Sequence, residues 1–124
     1  MFLKGIDHVQ IAAPQNSENL CREFFSGIFE MKEIPKPENL RKRGGVWFQC
    51  GEQELHVGIQ ENFTPAVKAH PAFSVADLKK LKERLMEHDI DIKEDEPLEG
   101  AERFYINDPF GNRLEFLERQ EKKK

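Results

Sequence analysis

The sequence has little of what would mark a disulfide scaffold, a nucleotide-binding fold or a membrane protein. Two cysteines in 124 residues, Cys21 and Cys50, stand far apart and form no CxxC pair, which excludes a framework stapled by disulfides. No GxGxxG or P-loop stretch is present, so the common glycine-rich phosphate cradles are missing. No apolar run is long enough to cross a bilayer, and the N-terminal residues carry no apolar segment of the signal-peptide kind. The expected setting is therefore the cytoplasm, with no membrane partner. A basic excess is also missing: 19 Lys and Arg face 23 Asp and Glu, for a net charge of -4. Nucleic acid is not the expected partner, because phosphate binding needs a basic footprint. The one basic run away from the C-terminus, Arg41-Lys42-Arg43, reads as a solvated loop.

What is present describes a globular domain. Hydrophobic residues make up 38% and charged residues 34% of a chain of single-domain length, enough to bury a real core. Leu3 to Ala13 alternates and reads as a strand ended by Pro14. Asn16 or Ser17 can cap a helix with the apolar stripe Leu20, Cys21, Phe24, Phe25, Ile28. Short strands follow at Phe29 to Ile34, Val46 to Cys50 and Glu54 to Ile59, with a polar loop from Pro35 to Arg43. After a connector containing Pro65 the order repeats. His70 to Val75 is a strand, and Asp77 caps a helix with Leu78, Leu81, Leu85 and Met86 on one face. Ile90 to Lys93, Arg103 to Ile106 and Arg113 to Leu117 are strands, the last two joined by the turn-rich Asn107-Asp108-Pro109-Phe110-Gly111-Asn112.

The expected fold class is α+β, built from two βαβββ modules at about 1–61 and 68–118 and closed by a frayed, charged tail at 119–124. Laid on each other, the halves align His8 with His70 at an offset of 62, and His56 with Glu115 at an offset of 59. Side chains on a strand alternate between faces. Leu55, Val57, Leu114 and Phe116 then face the helices, and His56 and Glu115 point the other way. Three imidazoles and a carboxylate pointing away from the helical layer form a donor set for one divalent metal such as Zn, Ni, Fe or Mn. The same parity puts Gln10, Trp47, Gln49, Arg103, Tyr105 and Arg113 on that face as lining groups.

Each of these residues has a plainer role available. A single strand histidine is more often a surface or satisfied core residue than a ligand. Glu115, between Leu114 and Phe116, is by default the solvent side of an amphipathic strand. His88 ends a helix, where a cation suits the dipole, and Cys50 reads as a buried thiol rather than a nucleophile.

Two such modules carrying His8, His56, His70 and Glu115 resemble the vicinal oxygen chelate superfamily, which holds glyoxalase I, bleomycin- and fosfomycin-resistance proteins and extradiol dioxygenases. The most specific match is Arg103-Phe-Tyr-Ile-Asn-Asp-Pro-Phe-Gly-Asn-Arg-Leu-Glu-Phe-Leu117, an Asp-Pro-x-Gly-Asn turn leading into a strand with the ligand Glu115. The resemblance covers essentially the whole ordered chain. It implies a mixed sheet curled round a cleft, and one divalent metal held by His8, His56, His70 and Glu115. It implies a lyase, isomerase or dioxygenase acting on a small substrate with vicinal oxygens. His56 and Glu115 take the catalytic places, and Trp47, Arg103 and Tyr105 the substrate-binding ones. A homodimer is expected, with the site within one chain or shared between two. His56 stands where glyoxalase I has a carboxylate, so a standard glyoxalase I activity does not carry over. A metal-independent binding protein of the bleomycin-resistance type is the alternative.

Overall fold

The structure is a computed structural model, and it describes residues 2–120. It divides into two compact units, 1–65 and 66–124. Each is built round one mixed sheet with parallel and antiparallel pairs.

In the first unit β1 (His8–Ala13) is followed by helix α1 (Glu18–Cys21), which runs on as a π-helical segment, Arg22–Ile28. Strands β2 (Lys32–Ile34), β3 (Val46–Cys50) and β4 (Gln53–Ile59) complete it. The sheet order is β1-β4-β3-β2, with β1 parallel to β4 and the other pairs antiparallel. Cys21, Phe24 and Phe25 of the helical stretch are buried, as are Val46, Phe48, Leu55 and Val57. Leu20 of the expected stripe is exposed. Leu20 stands one position before Cys21, at the edge of the face that Cys21, Phe24 and Phe25 bury at i, i+3, i+4 spacing.

The glycines before β3 allow one tight approach. A Cβ on Gly45, at φ +91°, would lie 2.2 Å from the Val57 carbonyl oxygen. Glycine lets the backbone pass this close to β4, and the freed Gly45 N–H donates to Glu18 Oε2 at 2.9 Å. That bond ties the start of α1 to the start of β3.

The second unit runs β5 (Ala72–Ser74), α2 (Leu78–Glu87), β6 (Ala101–Asn107) and β7 (Arg113–Arg119). Its sheet order is β5-β7-β6, with β5 parallel to β7 and β6 antiparallel to it. Asp77 caps α2 by accepting from Lys80 N–H at 3.1 Å, as Asp does at a helix start. Leu78 and Leu85 are buried, while Met86 is exposed. The Asp108–Asn112 turn holds itself together. Asp108 Oδ1 accepts from the N–H groups of Phe110 (2.9 Å) and Asn112 (2.8 Å), and Asn112 Nδ2 donates to Asp108 Oδ2 at 2.8 Å.

Several sequence expectations change. The strand expected at Phe29–Ile34 begins only at Lys32, and the loop expected at Pro35–Arg43 holds a 3-10 helix, Glu38–Arg43. The first strand begins at His8, not Leu3, and residues 2–7 lie exposed outside the ladder. The expected strand at Ile90–Lys93 reduces to a single bridge, Lys93 to Tyr105. The expected strand His70–Val75 starts only at Ala72, because Pro71 has no N–H for a ladder. The Pro71 carbonyl still accepts from Glu115 N–H at 3.1 Å, which fixes His70 just beyond the strand end. At the C-terminus β7 runs through Arg119. Residues 121–124, the rest of the expected tail, lie outside the described residues.

Candidate functional site

Strand register gives the two sheets the same layout. In the first unit His56 on β4 pairs with Gln10 on β1 and Trp47 on β3. In the second, Glu115 on β7 pairs with Ala72 on β5 and Tyr105 on β6. His8 stands two residues before Gln10, and His70 two before Ala72. His8 and His70, His56 and Glu115, and Trp47 and Tyr105 thus occupy matching positions, each set within its own unit.

In the first unit the three rings form a continuous stack. Trp47 lies on His56 with centroids 3.7 Å apart and planes 3° from parallel, and His8 covers His56 at 4.1 Å. His56 is buried, and its Nε2 meets Glu54 Oε1 at 2.9 Å. Half-exposed His8 has Nδ1 2.9 Å from Asp7 Oδ1. Neither carboxylate belongs to the expected ligand set. Glu54 lies two residues from His56, and Asp7 is next to His8. Short-range pairing of that kind shows in sequence only once the side-chain direction is known.

In the second unit His70 Nε2 meets Glu115 Oε1 at 2.9 Å, and His70 Nδ1 lies 2.8 Å from the Lys68 carbonyl oxygen. A carbonyl oxygen only accepts, so Nδ1 carries the proton and Nε2 is turned toward the carboxylate. Glu115 is buried rather than solvent-facing. Burial alone pushes its pKa up, but hydrogen bonds from His70, Tyr105 and Arg103 outweigh that and hold it below the ordinary carboxylate value. Arg103 Nη1 lies 3.4 Å from Glu115 Oε2 and donates to the Tyr105 hydroxyl at 2.9 Å. Tyr105 is pushed up, first by burial and then by the neighbouring Glu115 charge. Arg113 lies over the Tyr105 ring at 3.8 Å, and the His70 ring meets it edge-on at 5.3 Å.

The predicted residues therefore assemble as two groups, His8, Trp47 and His56 in one unit and His70, Arg103, Tyr105 and Glu115 in the other. Among the described residues, no group of three or more His, Cys, Asp or Glu side chains is arranged to hold a metal ion. The donor chemistry of the His70–Glu115 pair nevertheless suits a divalent cation. With Nδ1–H anchored on a backbone carbonyl, the His70 Nε2 that meets Glu115 here is the atom a metal would take in its place, an anchoring usual for metal-ligating histidines. A carboxylate kept ionised beside it supplies the charge.

The sequence matches the family model "Glyoxalase/Bleomycin resistance protein/Dioxygenase superfamily" over residues 5–116. No curated protein matches it. A crystal structure from Bacillus anthracis, described as of the glyoxalase family, is 48% identical, with a TM-score of 0.94 over 97% of this chain and 98% of that one. At lower identity the likeness is of fold. A lactoylglutathione lyase from Agrobacterium tumefaciens is 21% identical, with a TM-score of 0.74 over 95% of this chain and 96% of that one. A fosfomycin resistance protein from Listeria monocytogenes is 16% identical, with a TM-score of 0.72 over 99% and 97%. Arrangement and sequence agree, and the chain belongs to the glyoxalase/bleomycin resistance/dioxygenase superfamily, the vicinal oxygen chelate group.

Proposed function

We propose that the protein is a metal-dependent enzyme of lyase, isomerase or dioxygenase type that acts on a small substrate with adjacent oxygens. The observation that carries this reading is His70, with Nδ1–H committed to the Lys68 carbonyl and Nε2 aimed at the ionised Glu115. Glu115 is buried with its charge answered by His70, Arg103 and Tyr105, so His70 Nε2 stands beside an ionised carboxylate kept out of water. His70 and Glu115 are metal ligands in this reading. His8 and His56, at the matching register positions, belong to the same ligand set. The metal, one of Zn, Ni, Fe or Mn, would act as a Lewis acid on the substrate oxygens.

The remaining roles belong to the chain itself. Arg103 and Tyr105, bonded to each other beside Glu115, orient the substrate and hold its developing negative charge. His56, paired with Glu54, is a fourth ligand or the base that moves a proton. Trp47 lies flat on His56 and fixes its ring plane. The working form is a homodimer in the cytoplasm. No helix among the described residues is long and apolar enough to cross a membrane.

Metal analysis tests the assignment. The purified protein is expected to carry a divalent metal and to be stabilised by one metal ion over others in a thermal-shift series, since a native-state ligand raises stability. His70→Ala and Glu115→Ala are expected to lose that metal; unchanged metal content in both sinks the reading. A second reading, a metal-independent binding protein, draws on the Trp47–His56–His8 stack as an aromatic surface for a planar ligand. It predicts small-molecule binding that survives chelators.

A further inference from the structure

His56 is sandwiched between rings from the two strands that flank β4. Trp47 of β3 lies on it at 3.7 Å, and His8 of β1 lies on it at 4.1 Å with planes 19° apart. Stacked neighbours fix the plane of an imidazole, but they do not fix its edges. A half-turn about the Cβ–Cγ bond keeps the plane and both stacks, yet exchanges each nitrogen with a carbon. Stacking also does not choose between the two neutral tautomers. A hydrogen bond has to make both choices.

Glu54 supplies that bond. It stands two residues before His56 on β4, so both side chains leave the same face of the sheet. Its Oε1 lies 2.9 Å from His56 Nε2. An ionised carboxylate only accepts, so Nε2 carries the proton and Nδ1 keeps the lone pair. Among the described residues nothing else bonds to the His56 side chain. Ser17 Oγ is the one sealed side-chain nitrogen or oxygen among them that lacks a partner, so Nδ1 is an open atom rather than a sealed one.

The strand histidines are therefore anchored in opposite senses. His8 Nδ1 meets Asp7 Oδ1 at 2.9 Å, and His70 Nδ1 meets the Lys68 carbonyl oxygen at 2.8 Å. These two stand at matching positions, and each is held through Nδ1 by a residue one or two places before it. Of the three, His56 alone is held through Nε2 by such a neighbour.

We propose that Glu54 is a positioning residue for His56, and that it makes Nδ1 the nitrogen through which His56 acts. His8 and His70 act through Nε2. Nδ1 is bonded directly to Cγ and Nε2 is not, so a group that meets His56 sits closer to its strand than one that meets the far nitrogen of His8 or His70. The choice of nitrogen stands on the geometry of the first unit. What Nδ1 then does, as a ligand or as the base, rests on the function proposed above.

Imidazole proton–nitrogen NMR on the full-length, metal-stripped protein tests this, with the four histidines assigned by single His→Gln substitutions. His56 is expected as the Nε2–H tautomer, with its Nε2 proton protected from exchange. Glu54→Ala is expected to speed that exchange about tenfold, the loss of one charge-assisted hydrogen bond. Glu54→Gln, whose amide oxygen still accepts, should recover much of the protection. Circular dichroism of both variants checks that the fold is kept. Finding His56 as the Nδ1–H tautomer overturns the proposal, and so does exchange that is no faster in Glu54→Ala. Zn(II) added to the wild type should leave the Nε2 proton in place, and Zn(II) taking Nε2 of His56 overturns the proposal too. His70→Ala keeps the two proposals distinguishable, because it should lose Zn(II) while the His56 Nε2 proton stays protected. A wild type that binds no metal sinks the proposed function, and the metal-free spectra still decide the role of Glu54.

Discussion

Trp47 lies flat on His56, with ring centroids 3.7 Å apart and planes only 3° from parallel. The chain has one tryptophan, so its fluorescence reports on this stack alone. Removing the imidazole with His56→Ala should shift and brighten the emission. If His56 is a ligand, Zn(II), which carries no unpaired electrons, should change Trp47 emission in the wild type and not in His56→Ala. Zn(II) binding seen by calorimetry with silent fluorescence would exclude His56 from the ligand set.

Glu18 sets an acid limit for the first unit. Its carboxylate is held below the ordinary value, first by the Gly45 N–H bond, against a smaller opposing effect of burial, and then by the charges of Arg22 and Lys36. A depressed folded value means that the folded state favours the ionised form. The stabilisation is present above the ordinary carboxylate range and is lost as pH falls through the lower, folded value. Glu18→Gln should therefore unfold at higher pH than the wild type in an acid titration followed by circular dichroism. At neutral pH the variant should be less stable, and below the folded value the two should converge. Parallel acid-unfolding curves would refute this.

The Asp108–Asn112 turn should be sensitive to substitution. Asp108 and Asn112 are buried and satisfy each other, and Asn112 Oδ1 also accepts from Ala66 N–H at 3.0 Å. Asp108→Ala leaves two backbone N–H groups without their acceptor, at a cost of about 1–3 kcal/mol for each buried group left unpaired. Because the two side chains share a bond, the double variant should cost less than the sum of the singles. Urea unfolding of the two singles and the double measures this, and strict additivity would count against a shared network.

Leu85 is fully buried on α2, among the residues that close the core of the second unit. Leu85→Ala should destabilise that unit by about 2–5 kcal/mol through lost burial and the cavity left behind. Met86, next to it and exposed, should tolerate the same change within about 0.5 kcal/mol. Thermal melts of the two variants provide the comparison. Similar losses would mean that α2 packs by a different face.

Much of the layout was legible in the sequence because it depends on local rules. Alternation on β4 and β7 is a property of extended backbone, so His56 and Glu115 could be set apart from Leu55, Val57, Leu114 and Phe116. The turn chemistry of Asn107 to Asn112 marked the hairpin between the last two strands. The Ile90–Lys93 segment misled because its apolar residues look like a strand, whereas only Lys93 finds a bridge partner.

By itself the sequence determined the α+β class, which follows from periodicity and turn residues. It pointed to the family through the resemblance carried by its histidines and the motif of one hairpin. The order of elements repeats only in part, because the second unit has three strands to the first unit's four. Only the tertiary structure decided which side chains meet. It buried Glu115 against His70, Arg103 and Tyr105, gave His56 a carboxylate partner in Glu54, and laid Trp47 flat on that ring. Those pairings depend on cross-strand register, which joins residues far apart in the chain through backbone hydrogen bonds and leaves no mark on the residues in between.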